Sequence, residues 1–296
     1  MAPHDDRGHG DPAPLPAPLP VPVVDNHTHL DIHRDDLPEP LRAEGVDGVA
    51  GALAIAASVG VDRVVQVGCD LESARWTVEA VDAHPAMLGA VALHPNEAPR
   101  LAEQGRLDEA LAEIEALSAH PRVRAIGESG LDYYRTGEGG VAAQQESFRW
   151  HIDLAKRTGK ALQIHDRDSH DDVLRILAEE GAPERTVLHC FSGDVAMARE
   201  CAERGYYLSI AGTVTFKNAR GLRDALAVTP TERLLVETDA PYLTPKPQRG
   251  KPNAPYLVPH TTRFLADLLD VDLAEFCDHV VANTFAAYGG SWGDDA

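Results

Sequence analysis

The chain has 296 residues, 44% of them hydrophobic, and a formal net charge of −20 at pH 7. This length allows a large buried core and matches that of an α/β barrel built as one domain. The absence of any run of about 18 apolar residues argues against a transmembrane helix, and the negative charge argues against a broad basic surface for duplex nucleic acid.

The first twenty residues are rich in proline, histidine and aspartate and lack the apolar segment of a signal peptide. This composition predicts a disordered tail over residues 1–20, outside a single folded domain of residues 21–291. Because there is no export signal and no CxxC motif, the cysteines are expected to be reduced thiols in a cytoplasmic protein. The four cysteines are Cys69, Cys190, Cys201 and Cys277.

Eight apolar segments alternate with helical patterns along almost the whole chain. Several of these segments are continuously apolar, as expected for parallel strands that are buried on both faces. Eight β/α units without a break in composition predict an α/β fold, a closed (β/α)8 TIM barrel, and an open doubly wound sheet is the alternative. The predicted strands lie within Val21–Leu30, Arg63–Cys69, Met87–Pro95, Val123–Gly130, Ala161–Arg167, Thr186–Gly193, Tyr206–Gly212 and Arg233–Pro241.

Between the strand segments, apolar residues recur at a spacing of three or four residues, which predicts helices. The patterns over Leu107–Leu117 and Phe148–Ala155 are the clearest, and Gly159 is placed to end the second of these helices. Ser169 and Asp172 have the spacing of a capping box, which predicts the start of a further helix. Additional helical segments are predicted over 46–60 and 260–288.

Polar side chains stand at the carboxyl ends of five predicted strands, where the active site of a barrel enzyme is built. His27 and His29 are two residues apart, so a strand would direct both rings to the same face. A single histidine at a strand end could be a hydrogen-bonded structural residue, but Arg167 is the only cation at a matching position in these strands. Metal ions would supply the missing positive charge. The candidate ligands are His27, His29, Glu128, His165, His189 and Asp239.

Six ligands exceed the four that one tetrahedral zinc ion takes, which predicts two divalent ions of the kind that hydrolyse phosphate esters and related bonds. The two histidines of the first strand and Asp239 are assigned to the first ion. His165 and His189 are assigned to the second ion, and Glu128 is assigned to a bridge between the two. The predominance of imidazole favours Zn, Mn, Fe or Ni over Mg, and the identity of the metal is left open.

Six short motifs follow one another along the chain: DNHTHLD, ALHPNEA, IGESGLDYY, IHDR, HCFSG and ETDAPYL. Together they resemble the TatD family of metal-dependent hydrolases, over essentially Val21 to Gly289. The resemblance implies a TIM barrel of the amidohydrolase-like superfamily and a metal-dependent deoxyribonuclease, with 3′→5′ exonuclease activity and Mg²⁺ dependence in several members. It assigns metal ligation to the same six residues. Many members have His-Pro-His where this chain has His94, Pro95 and Asn96, so a phosphate contact from the third position is not carried over.

The resemblance and the predicted two-ion site favour hydrolysis of a phosphodiester bond. A water held between the ions would attack phosphorus, Asp239 would orient it and accept its proton, and Glu128 would hold both ions. His94 and Arg167 are the candidate contacts to the substrate phosphate. A hydrogen bond at the strand end is the alternative role of His94. An ion pair with Asp168 or Asp172 is the alternative role of Arg167.

The expected partner is DNA, in single strands or at 3′ ends, with no membrane and no obligate protein partner. Lys217 and Arg249, in loops after the seventh and eighth strands, could reach a nucleic-acid backbone, and Tyr133 and Tyr134 could stack on a base. One alternative is a hydrolase of small-molecule or aminoacyl-tRNA esters or amides at the same two-metal site, since a deacylase activity has been proposed for some family members. The other is a non-catalytic scaffold, which the complete ligand set disfavours.

Overall fold

The chain folds into a barrel of eight parallel strands in chain order, in a computed structural model that describes residues 11–33 and 48–289. Each strand pairs with the next, and a parallel bridge between Thr28 and Ala240 joins the two ends of the sheet. The prediction of a (β/α)8 barrel is therefore confirmed. The strands are β1 Val23–Thr28, β2 Val61–Gly68, β3 Met87–Val91, β4 Val123–Asp132, β5 Ala161–Arg167, β6 Thr186–Leu188, β7 Tyr207–Ile210 and β8 Leu234–Val236.

Helices surround the strands and bury one apolar face each. In α5, Phe148, Ile152 and Ala155 are fully buried at the predicted helical spacing, and Gly159 ends the helix in the left-handed conformation that favours glycine. None of the described helices combines the length and the apolar character that crossing a bilayer requires. The helices are α1 Gly48–Ser58, α2 Leu71–Ala83, α3 Glu97–Glu103, α4 Leu107–Ser118, α5 Val141–Thr158, α6 His170–Glu180, α7 Val195–Glu203, α8 Arg220–Leu226, α9 Val258–Leu269 and α10 Leu273–Tyr288.

The helical region predicted over 260–288 is confirmed and consists of two helices, because Asp270 adopts a left-handed conformation at the end of α9 and Asp272 caps α10 by accepting from two backbone N–H groups. The predicted capping box of Ser169 is wrong. Its buried hydroxyl oxygen lies instead 3.0 Å from Leu131 O and 2.8 Å from Asp166 Oδ1, two acceptors for its one hydrogen that tertiary folding brings beside it from β4 and β5.

The segment before β1 differs from the predicted tail outside the fold. Within residues 11–20, Ala13 and Leu19 are buried. The Tyr256 hydroxyl donates to Ala13 O at 2.8 Å, and Leu19 N donates to Val59 O at 3.0 Å. Proline removes backbone donors but leaves every carbonyl as an acceptor, so an extended proline-rich chain can bind donors on the barrel surface. The first ten residues lie outside the described part of the chain, and the domain boundaries at 21 and 291 stay predictions.

The amino-terminal end of the barrel is closed by the end of α10. Tyr288 is fully buried, and its hydroxyl accepts a hydrogen bond of 2.8 Å from Nε2 of Gln163 in β5. Arg124, at the start of β4, donates to Tyr288 O. Side chains at the opposite end keep some contact with solvent: His165 and Asp239 are 17% and 14% exposed. The carboxyl ends of the strands therefore form the accessible mouth.

Candidate metal centre

All six predicted ligands meet at the carboxyl-end mouth of the barrel. His27 lies in β1 and His29 just after it, and four of the six side chains are at least 90% buried. The barrel explains the convergence, because parallel neighbouring strands end at the same level. The other four predicted ligands are Glu128 in β4, His165 in β5, His189 after β6 and Asp239 after β8.

The first cluster consists of His27, His29 and Asp239. The Nε2 atoms of the two histidines are 3.1 Å apart, and Asp239 Oδ1 lies 3.4 Å from His29 Nε2 and 3.7 Å from His27 Nε2. Backbone pairing of the first and last strands holds this geometry, because Asp239 N donates to His27 O and His29 N donates to Ala240 O. His29 Nδ1 faces Val67 O at 3.0 Å, which leaves Nε2 to face the cluster.

The second cluster consists of His165, His189 and Glu128. His165 Nδ1 is 2.6 Å and His189 Nε2 is 2.9 Å from the same oxygen, Glu128 Oε1. The opposite nitrogen of each ring faces a further buried carboxylate. His189 Nδ1 lies 3.1 Å from Glu237 Oε1, and His165 Nε2 lies 3.4 Å from Asp132 Oδ2.

Glu128 lies between the two clusters and presents one oxygen to each. While Oε1 faces the second cluster, Oε2 is 3.5 Å from His27 Nε2 and 3.9 Å from His29 Nε2. Burial opposes ionisation of this carboxyl, but the charge of His189 and the hydrogen bonds of His165 and His189 hold its pKa well below the usual range. An ionised Glu128 has the position that a bridging ligand requires.

The field of these carboxylates favours positive charge at the mouth. Burial opposes protonation of His29, yet Asp239 and Glu128 outweigh it and raise its pKa to about 9. The pKa of His189 is likewise raised well above its ordinary value despite burial, because Glu128 and Glu237 face its two nitrogens. A site that draws protons onto buried imidazoles also attracts cations.

The donor atoms fit bound divalent cations. Within each cluster the candidate ligand atoms lie within 4.8 Å of one another, and Nδ1 of His27 and Nε2 of His165 have no hydrogen-bond partner among the described residues. Imidazole nitrogen with carboxylate oxygen is a donor set that zinc and related transition ions prefer. The chemistry available to such a centre is polarisation of a bound ester or amide and activation of water.

His94 also reaches this centre. Its Nδ1 accepts from Asn96 N at 3.1 Å, as the strand-end alternative expected, while its Nε2 lies 3.6 Å from Glu128 Oε1. Burial lowers the pKa of His94 to about 3. A neutral ring that accepts at Nδ1 carries its proton on Nε2, so His94 presents an N–H donor toward Glu128.

Arg167 lies at the rim, with its guanidinium 4.0 Å from the centre of the Tyr134 ring. Asp172, one of its expected ion-pair partners, accepts instead from the Tyr133 hydroxyl and pairs with Arg175. Tyr134 is 63% exposed, so the stacked pair faces solvent.

Sequence reasoning missed four residues that touch the ligands or hold their neighbours. Glu237 stands two positions before Asp239, a spacing that could have marked it, and Asp132 lies in the same motif as Glu128. Asn96 donates from Nδ2 to Asp132 Oδ2 at 3.2 Å. Cys69, at the end of β2, donates from Sγ to Glu128 Oε2 at 3.3 Å. No local pattern distinguishes such supporting residues from ordinary polar ones.

The chain resembles known proteins over nearly its full length. The family described as TatD related DNase matches residues 24–289. An uncharacterized metal-dependent hydrolase of Mycobacterium tuberculosis is 49% identical over 274 residues, which cover 91% of this chain and 99% of that protein. A Bacillus subtilis protein of the same description is 37% identical over 264 residues, which cover 88% of this chain and 96% of that protein. The crystal structure of a TatD homolog from Escherichia coli superposes with a TM-score of 0.79 at 25% identity, over 90% of this chain and 97% of that one.

Proposed function

The chain belongs to the TatD-related DNase family of metal-dependent hydrolases, and we propose that it is a deoxyribonuclease that removes nucleotides from the 3′ ends of single-stranded DNA. The observation that carries this proposal is the position of Glu128 between two ligand clusters, one oxygen toward each. This is the arrangement expected of a two-metal site for phosphodiester hydrolysis.

The protein residues have separable roles in this reaction. Two divalent ions, when bound by the two clusters, supply Lewis-acid chemistry and lower the pKa of water. Asp239 is ionised, because its imidazole neighbours outweigh burial and keep its pKa below the usual value. Its side chain is partly exposed at the mouth, so it can orient an attacking water and accept the proton at a carboxylate oxygen.

Two further residues are placed to bind the scissile phosphate. The Nε2–H of His94 points into the centre and can donate to a phosphoryl oxygen. Arg167 lies at the rim, where its guanidinium suits the geometry of a phosphate. Both roles are proposals that the geometry supports.

The rim carries two pairs of arginine and aromatic side chains. Arg167 stacks on Tyr134 after β4 and β5, and Arg249 stacks on Phe216 in the loops after β7 and β8 at 4.1 Å. Cations beside aromatic rings are what non-specific binding of single strands uses, with bases stacked on rings and phosphates near the cations. On a chain of net charge −20, such local positive pairs favour a single strand over a duplex.

We place this enzyme in the cytoplasm. All four cysteines are free thiols, and Cys201 and Cys277 are buried, which suits a reducing compartment. DNA is its proposed substrate, without a membrane or an obligate protein partner.

The experiment that tests the proposal is a gel assay with 5′-labelled single-stranded DNA and metal-stripped protein. We expect no cleavage without metal, and a ladder shortened from the 3′ end when Mg²⁺, Mn²⁺ or Zn²⁺ is restored. A 3′-terminal phosphorothioate should block the ladder. If the metal-loaded protein leaves DNA intact but hydrolyses carboxylic esters, amides or aminoacyl-tRNA, the alternative hydrolase is the correct function of the same site.

A further inference from the structure

The two ligand clusters share Glu128 but differ in what lies behind their imidazoles. In the second cluster, His189 Nδ1 faces Glu237 at 3.1 Å and His165 Nε2 faces Asp132 at 3.4 Å. In the first cluster, His29 Nδ1 faces a backbone carbonyl, and His27 Nδ1 has no hydrogen-bond partner in the described part of the chain. A carboxylate oxygen therefore lies behind each histidine of the second cluster, hydrogen-bonded to His189 and at ion-pair distance, without a hydrogen bond in the described part of the chain, from His165. Neither histidine of the first cluster has a carboxylate within hydrogen-bond distance of its Nδ1 among the described residues.

Both rear carboxylates are held in place by other contacts. Glu237 is fully buried, and its Oε1 also accepts from Cys190 N at 2.8 Å. Asp132 is 1% exposed, and it accepts from Arg135 N at 2.9 Å and from Asn96 Nδ2 at 3.2 Å. They are thus fixed supports whose positions do not depend on the histidines alone.

A carboxylate behind a ligand histidine acts on the metal in two ways. It holds the ring in the tautomer and orientation whose other nitrogen faces the metal, and it makes that nitrogen more basic. Removing such a partner typically costs about 10–100-fold in metal affinity. A backbone carbonyl fixes the tautomer as well but adds no net negative charge.

We propose that the second cluster is the higher-affinity metal position, and that Glu237 and Asp132 are positioning residues that set this difference. The first cluster then binds the more weakly held, exchangeable ion. The inference rests on the proposed two-metal site but not on the identity of the substrate. The proposal also gives Asn96 a role in metal affinity, because its side chain donates to Asp132 and orients that carboxylate. Many family members carry histidine at this position.

The test is a titration of the metal-stripped full-length chain with Zn²⁺ against a competing chromogenic chelator, with Mn²⁺ counted by electron paramagnetic resonance as a second measurement. The wild type should bind two ions in two resolved steps. Glu237→Gln and Asp132→Asn should each weaken the tight step by about 10–100-fold and change the weak step far less. His189→Ala should remove the tight step, and Asp239→Ala should remove the weak one.

Asp31→Asn is the matched control, because it removes one negative charge near His29 without standing behind a ligand ring. It should leave the tight step unchanged. If Glu237→Gln does not fold, Asp132→Asn carries the same test at the other histidine.

Three outcomes would overturn the inference. One is loss of the weak step instead of the tight step in the two positioning variants. Another is equal weakening by Asp31→Asn. The third is a third bound ion that Asp132→Asn removes, which would make Asp132 a ligand together with His94 and His165. Two-step binding in a protein that does not cleave DNA would refute the proposed substrate and leave this inference standing.

Discussion

The two ends of the barrel use polar groups in opposite ways. At the amino-terminal end, the Tyr288 hydroxyl is paired with Gln163, and the ammonium of Lys160 donates to three backbone carbonyls. At the carboxyl end, imidazoles and carboxylates face one another and include nitrogens without partners among the described residues. The comparison indicates that one end stabilises the fold while the other holds groups ready for a ligand. We therefore expect substitutions at the carboxyl end to lower activity more than stability, and substitutions at the amino-terminal end to lower stability more than activity.

Asp239→Asn should show the largest loss of activity with the least loss of stability. The amide cannot accept the proton of the attacking water, so kcat/KM on single-stranded DNA should fall about 10³-fold, within the usual range for a lost general base. The melting temperature should stay within about 2 °C of wild type, since the backbone bond from residue 239 to His27 O remains. Asp31→Asn serves as the control for loss of one carboxylate. A parallel loss of activity and folding would make Asp239 a structural residue.

The opposite result is expected for Tyr288→Ala at the amino-terminal end. Deleting this fully buried ring should lower the free energy of unfolding by about 3–5 kcal/mol, as for other large aromatic residues. Tyr288→Phe keeps the volume and should cost about 1 kcal/mol for the lost hydrogen bond. Denaturant unfolding measures both values, and kcat per folded molecule should match wild type in the phenylalanine variant. A large fall in kcat there would contradict the division between the two ends.

His151 should make the helix layer sensitive to acid. Its Nε2 accepts from Leu93 N, and burial lowers its pKa to about 4, below the ordinary value of 6.5. Between these values the unfolded chain binds a proton that the folded chain does not, so stability is complete above pH 6.5 and falls toward pH 4. The full difference is about 3 kcal/mol. Denaturant unfolding at about pH 7 and about pH 4.5 should show this loss of unfolding free energy in wild type and a smaller loss in His151→Gln. Equal losses in the two proteins would show that His151 is not the source of the acid sensitivity.

The smallest effect is expected at the rim of the mouth. Tyr134→Ala and Phe216→Ala each remove one ring on which a base could stack, which is typically worth about 1–3 kcal/mol per base. A loss of about 1 kcal/mol, the lower end of that range, corresponds to a rise of about 5–10-fold in KM for single-stranded DNA. We expect kcat to be nearly unchanged. Tyr133→Phe is a suitable control, because it keeps the ring next to Tyr134 and removes only the hydroxyl that donates to Asp172. An unchanged KM in both alanine variants would remove stacking from the proposal.

Much of the fold followed from patterns that are local in the chain. Continuous apolar segments predict buried parallel strands, and helical spacing places Phe148 and Ile152 on the buried face of α5. The six ligands could also be proposed, because the strands of a barrel end at one mouth and polar residues recur at those ends. The folded Pro-rich segment at 11–20 could not be predicted, because its partners Tyr256 and Val59 belong to distant parts of the sequence.

What the sequence by itself determined was the alternation of strands and helices and the residue types at the mouth, since both depend on the order and spacing of side chains. Only the tertiary structure decided which ring nitrogen faces which carboxylate. Contacts between residues that are far apart in the chain place Glu128 between the two clusters and place Glu237 and Asp132 beside the histidines of the second cluster. Such contacts depend on how the strands pack around the barrel, and a pattern of neighbouring residues does not specify that packing.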